Sequence, residues 1–223
     1  MNNTKVTVRV YDKLMDSFNR QADELYLKRD AFLNHIIRRE TPLLAADLKG
    51  KRLSPPARKH IARSLKRLGT TTVNLVVEKA TAEALNKVVE ETNMVRDAFI
   101  NRLIVFLRSS TYLMKFLDLP EFITRSGFKS GIEHMPTSPM KAIEAVHGDP
   151  FYYLRTAIQQ RYETGLYLIH FSPKLVGFEC YLEDEYVPGT PSYEEEQKKA
   201  DEVFRELDSF ESDAFAKPAG AGQ

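Results

Sequence analysis

The hydrophobic pattern along the chain changes period, and it does so twice in the same way. Polar and apolar residues alternate in Lys5-Val6-Thr7-Val8-Arg9-Val10, and again in Thr72-Val73-Asn74-Leu75-Val76-Val77. Alternation in β-branched residues predicts a short strand with one buried face at each place. Helical spacing follows each strand, over about 12–25 and 79–92, and in the first of these Leu14, Phe18, Ala22 and Leu25 fall on one side. After a short turn a second helix is predicted in each case, at about 28–39 and 95–108, with Phe32, Leu33, Ile36 and Ile37 marking the apolar face of the first.

The two stretches are copies of one unit. RDAFLN at 29–34 returns as RDAFIN at 96–101, and an offset of 67 aligns residues 5–40 with 72–107 without a gap. Ten of the 36 aligned pairs are identical, where unrelated sequences would share about two. A single strand leaves its backbone donors unpaired, and two short helices cannot bury their own apolar faces. The two units are therefore expected to pair with each other.

Strand, helix, helix in about 40 residues, duplicated, resembles the ribbon-helix-helix family of the Arc and MetJ repressors, whose members dimerise to form an antiparallel ribbon that enters the major groove. This chain looks like a tandem, single-chain form, similar to regulatory and accessory proteins of conjugative plasmids. The resemblance covers about 4–108. It implies base contacts from the outward ribbon residues Lys5, Thr7 and Arg9 and from Thr72, Asn74 and Val76, while Val6, Val8 and Val10 face the core. Arg and Lys suit guanine, Asn suits adenine, and Thr meets a base edge or a thymine methyl. Val76 departs from the pattern because it cannot hydrogen-bond, so the two half-sites are expected to differ. The resemblance also puts phosphate anchors at the beginnings of the second helices, where Lys28, Arg29 and Arg96 stand. Asp30 and Asp97 are expected to favour the helix dipole rather than to touch DNA.

Between the units, residues 41–70 read as a helical connector with eight basic residues against Asp47. Ser54-Pro55-Pro56 is a helix start, and Ala57, Ile61, Leu65 and Leu68 then share one side. Arg58, Lys59, Arg63, Lys66 and Arg67 cover the other, either along the DNA backbone or as a solvated face.

Charge adds a division that the net value of +1 hides. Residues 1–110 hold 21 Lys and Arg against 12 Asp and Glu, and the rest hold 11 against 19. A basic half beside an acidic one implies a polyanion-binding module joined to something that stays off polyanions. The domains expected are 1–110 for DNA binding, 111–212 as an acidic α+β region, and a disordered tail at 213–223. In the acidic region a loop-rich stretch at 120–139 and a helix near 150–161 precede a predicted β-hairpin in GLYLIHFS and GFECYLEDEYV, and Ser192 with Glu195 marks a last helix striped by Ala200, Val203, Phe204, Leu207 and Phe210. Val105-Phe106-Leu107, where the first unit has Arg38-Arg39-Glu40, predicts that this region covers the end of the second helix. Overall the fold class expected is mainly α with short β.

The chemistry of catalysis is not visible in the sequence. His134, His147, His170 and Cys180 lack ligand spacing, no nucleophile motif or phosphate loop occurs, and neither a metal nor a cofactor is expected. One Cys and no long apolar run imply a cytoplasmic protein with no membrane span, and the resemblance implies association with the bacterial nucleoid or a plasmid. Three roles fit. They are a sequence-specific transcriptional regulator, a relaxosome or architectural protein at a transfer origin, and an antitoxin-type repressor. In each, the acidic half serves self-association or a protein partner.

Overall fold

The structure is a computed structural model that describes residues 2–67, 69–108, 111–119, 148–171 and 173–215. It is mainly helical, with one two-stranded sheet among the described residues. Strand β1 (Asn3–Tyr11) leads into α1 (Asp12–Glu24) and α2 (Arg29–Asp47), and α3 (Pro55–Arg67) leads to β2 (Thr70–Glu78), α4 (Lys79–Thr92) and α5 (Arg96–Arg108). Beyond these lie α6 (Thr111–Phe116), α7 (Tyr152–Tyr162), a single turn α8 (Pro173–Val176) and α9 (Pro191–Phe215). No helix among the described residues is long and apolar enough to cross a membrane.

The two strands pair antiparallel within the chain, with Thr7 opposite Asn74 at the centre. Sequence alternation sets the faces, since Val6, Val8, Val10, Val73, Leu75 and Val77 are all buried against the helices. The offset of 67 reappears as geometry. The Asp12 N–H donates to the Gly69 carbonyl at 3.0 Å, and its counterpart Lys79 N–H donates to Asn2 at 2.9 Å. Tyr26 and its counterpart Asn93 turn the chain between helices with the same φ of 55°. A pseudo-twofold axis thus passes through the Thr7–Asn74 pair.

The repeat is not carried to the end. α2 runs on to Asp47, through Pro42 on its exposed side, where the helix had been expected to stop near 39. The linking segment proper therefore begins at Leu48. In α3 the expected cap is present, with Ser54 Oγ accepting from the Ala57 N–H at 3.3 Å.

Acidic and basic halves share one core, which does not divide near 110. Every residue from Ala98 to Phe106 is buried. Phe106, as its apolar neighbourhood foretells, lies under the later chain, its ring 5.9 Å from Phe151, 6.1 Å from Tyr167 and 5.3 Å from Phe171. A buried polar network joins the halves as well. Glu40, fully buried, accepts both oxygens' worth of bonds from Arg155 at 2.9 and 3.0 Å and one from the Tyr167 hydroxyl at 2.6 Å. Burial, and then the Glu40 carboxylate, raise the Tyr167 pKa well above that of a free tyrosine. Gly165 approaches α2 closely, and a Cβ there would displace the Asp47 carboxylate, which itself receives the Tyr167 N–H at 3.0 Å.

Three expectations for the acidic region need correction. The predicted hairpin does not form. Its two segments carry 3-10 turns at Leu166–Leu168 and Asp184–Tyr186, with the turn α8 between them. Polar and apolar residues alternate from Phe178 to Glu183, but Tyr181 and Glu183 are buried along with Cys180 and Leu182, so the alternation has no open face to serve in this segment. Its backbone groups are claimed by side chains instead, as Asp47 takes the Tyr167 N–H and Arg102 donates to the Cys180 carbonyl. The last helix is capped by Thr190, whose Oγ1 accepts from Tyr193 N–H at 3.2 Å, with Pro191 in its first turn, rather than by Ser192. Residues 213–215, expected in the tail, belong to α9. Within the stripe of α9, Val203 and Phe204 are exposed. Leu68, His134, His147, the stretch at 120–139 and the tail from 216 lie outside the described residues.

Candidate nucleic-acid interface

The six residues expected to contact bases stand together on the outer face of the sheet. Lys5, Thr7, Arg9, Thr72 and Asn74 are exposed, and Val76 retains 38% of its surface. The register sets Arg9 beside Thr72 at one end, Thr7 beside Asn74 in the middle, and Lys5 beside Val76 at the other end. The face is therefore asymmetric, with a guanidinium and a hydroxyl at one end and an ammonium and two methyl groups at the other. Neither Lys5 nor Arg9 forms an ion pair among the described residues. Thr7 Oγ1 donates to Asn74 Oδ1 at 2.8 Å. Directly opposed residues of an antiparallel pair lie within reach of a disulfide. Cysteines at positions 7 and 74 are thus expected to crosslink within one chain, read as a monomer band on non-reducing gels; crosslinks found only between chains would mean exchanged strands.

Each free edge of the sheet is held by the repeated RDAF-x-N motif of the other unit. On β2, Val76 N–H donates to Asp30 Oδ2 at 3.1 Å and Glu78 N–H to Asn34 Oδ1 at 2.8 Å. On β1, the Arg9 backbone bonds Asp97, Tyr11 N–H donates to Asn101 Oδ1 at 2.9 Å, and Asn101 Nδ2 donates to the Arg9 carbonyl at 2.8 Å. These contacts occupy backbone groups that an edge strand otherwise offers to another chain. Burial raises the Asp97 pKa, against the lowering by the Arg9 N–H and the charges of Arg96 and Arg9. The two aspartates, read from sequence as dipole partners, thus act on the strands. Their signal was in plain sight, because Asp and Asn are identical in both copies of the motif.

The predicted phosphate contacts separate into two groups. Lys28, Lys59, Arg63, Lys66 and Arg67 are exposed. Arg29 binds the neighbouring Asp30 at 2.7 Å and keeps 37% of its side chain in water. Arg58 and Arg96 are half-buried and bound to other parts of the protein. Arg58 Nη1 donates to the carbonyls of Asn93 at 3.0 Å and Met94 at 2.9 Å, holding the turn between α4 and α5. Arg96 Nη2 donates to the Thr7 carbonyl at 3.0 Å, which ties the start of α5 to the strand. Helix carbonyls and a strand edge compete for these guanidinium groups, and basic character alone does not reveal that use.

No protein-family model, curated protein or solved structure matches this chain.

Proposed function

We propose that this chain is a single-chain ribbon-helix-helix protein that binds double-stranded DNA sequence-specifically and regulates transcription. The observation that carries the reading is the outer face of the sheet, where the polar side chains of Lys5, Thr7, Arg9, Thr72 and Asn74 are exposed to solvent on the two paired strands. A two-stranded antiparallel ribbon fits the major groove, and its side chains then meet base edges. Lys28 and Arg29 flank one edge of the ribbon as phosphate partners, and Lys59, Arg63, Lys66 and Arg67 extend the positive surface along α3.

Because Arg9 with Thr72 and Lys5 with Val76 occupy opposite ends, one chain reads two unlike half-sites and needs no palindrome. The test is selection of bound sequences from random duplexes, followed by genome-wide mapping. An asymmetric consensus located at promoters is expected, and a single peak at a transfer origin would assign the accessory role instead. Arg9→Ala is expected to lower specific affinity by about 1–3 kcal/mol with the melting temperature unchanged, measured by fluorescence anisotropy on the selected duplex. Wild-type affinity in that folded variant would remove β1 from the reading face.

A further inference from the structure

We propose that the cleft between the end of α2 and the last turn of α4 binds a small amphipathic anion, a carboxylate on a short apolar chain. The cleft has a volume of about 310 Å³, within the lower range of about 300–1,000 Å³ typical of small-ligand sites. Its apolar part is formed by Ala45, Leu48 and Val88, of which Leu48 is 1% and Val88 6% exposed. Its rim carries Lys49, Lys51 and Arg52, grouped by the loop that turns at Gly50 with a φ of 79°.

These cations are not equally spent. Lys51 pairs with Glu183, and Arg52 Nη1 donates to the carbonyls of Glu90 at 2.9 Å and Glu91 at 2.7 Å. Lys49 has no ion pair among the described residues. The one carboxylate on the rim, Glu91, lies 3.9 Å from Lys87. A bare inorganic anion would meet the rim and leave the apolar floor wet, whereas a neutral apolar molecule would gain nothing from the exposed Lys49 ammonium. An anionic head on a short chain satisfies both. The first unit lacks such a floor, since the counterpart of Val88 is Gln21, whose Oε1 accepts from Arg108 at 2.8 Å. The site is independent of whether the outer sheet face reads DNA.

Titration calorimetry of the full chain with hexanoate, acetate, 1-hexanol and hexylamine at constant ionic strength tests the proposal. Hexanoate is expected to saturate one site per chain, with each of the other three about tenfold weaker or worse. Lys49→Glu, an exposed change, and Ala45→Leu, which fills the floor, are each expected to weaken hexanoate about fivefold or more while the melting temperature holds. Should Ala45→Leu disturb the fold, Lys49→Glu and Lys49→Ala carry the test. Absence of saturable hexanoate binding, equal binding of hexylamine, or wild-type binding by folded Lys49 variants would overturn it.

Discussion

Val8→Asp is expected to leave no folded protein at room temperature. Val8 is 1% exposed, sits opposite Val73 next to the pseudo-twofold axis, and belongs to the apolar layer between the sheet and both pairs of helices. A carboxylate placed there is taken out of water, and an unpaired buried charge costs several kcal/mol beyond the lost packing of the valine. The whole stability of a domain is about 5–15 kcal/mol. Thr7→Asp, one residue away on the exposed face, is expected to keep the fold. Circular dichroism melts of the two variants decide the matter: a wild-type melt for Val8→Asp would show that the strand faces are assigned the wrong way round.

Truncation after Arg108 is expected to abolish cooperative folding, even though both strands of the sheet lie in the retained part. The nine residues from Ala98 to Phe106 are buried, and the later chain supplies part of their cover through Phe151, Tyr167 and Phe171. Exposing each large apolar side chain costs about 1.5–3 kcal/mol. Glu40 also loses Arg155 and the Tyr167 hydroxyl. Dye binding and loss of a thermal transition in the 1–108 fragment are the expected readouts, and a sharp transition near the wild-type temperature would establish the basic half as a separate domain. Phe106→Ala in the full chain, the milder form of the same test, is expected to cost about 3–5 kcal/mol.

The duplicated half was legible because its signals are local and agree with one another. Period-two alternation in 5–10 and 72–77 identifies both strands and their buried faces, and the helices that follow begin within a few residues of where they are expected, although α2 runs on to Asp47 instead of ending near 39. The identity of RDAF-x-N marked the positions that matter, though not what Asp30, Asn34, Asp97 and Asn101 do, since a hydrogen bond to a strand far along the chain leaves no periodicity. The acidic half misled for a related reason. Alternation in 178–183 predicts a strand only if one side meets water, and here residues of both sides, Cys180 and Leu182 as well as Tyr181 and Glu183, are buried. Arg58 and Arg96 likewise read as solvent-facing cations until folding brings helix carbonyls and the Thr7 carbonyl within their reach.

By itself, then, the sequence determined the repeated unit, its strand and helix order, the exposed residues Lys5, Thr7, Arg9, Thr72 and Asn74, and the opposite charges of the two halves. Those properties follow from patterns that span a few turns or from composition. Only the tertiary structure decided that the core runs unbroken from the sheet into the acidic half, that Glu40 lies buried between Arg155 and Tyr167, and that the described residues of 165–187 form turns rather than a hairpin. The physical reason is that burial and hydrogen-bond partnership there depend on which distant segment covers a surface, and a one-dimensional pattern carries that information only when one face stays in water.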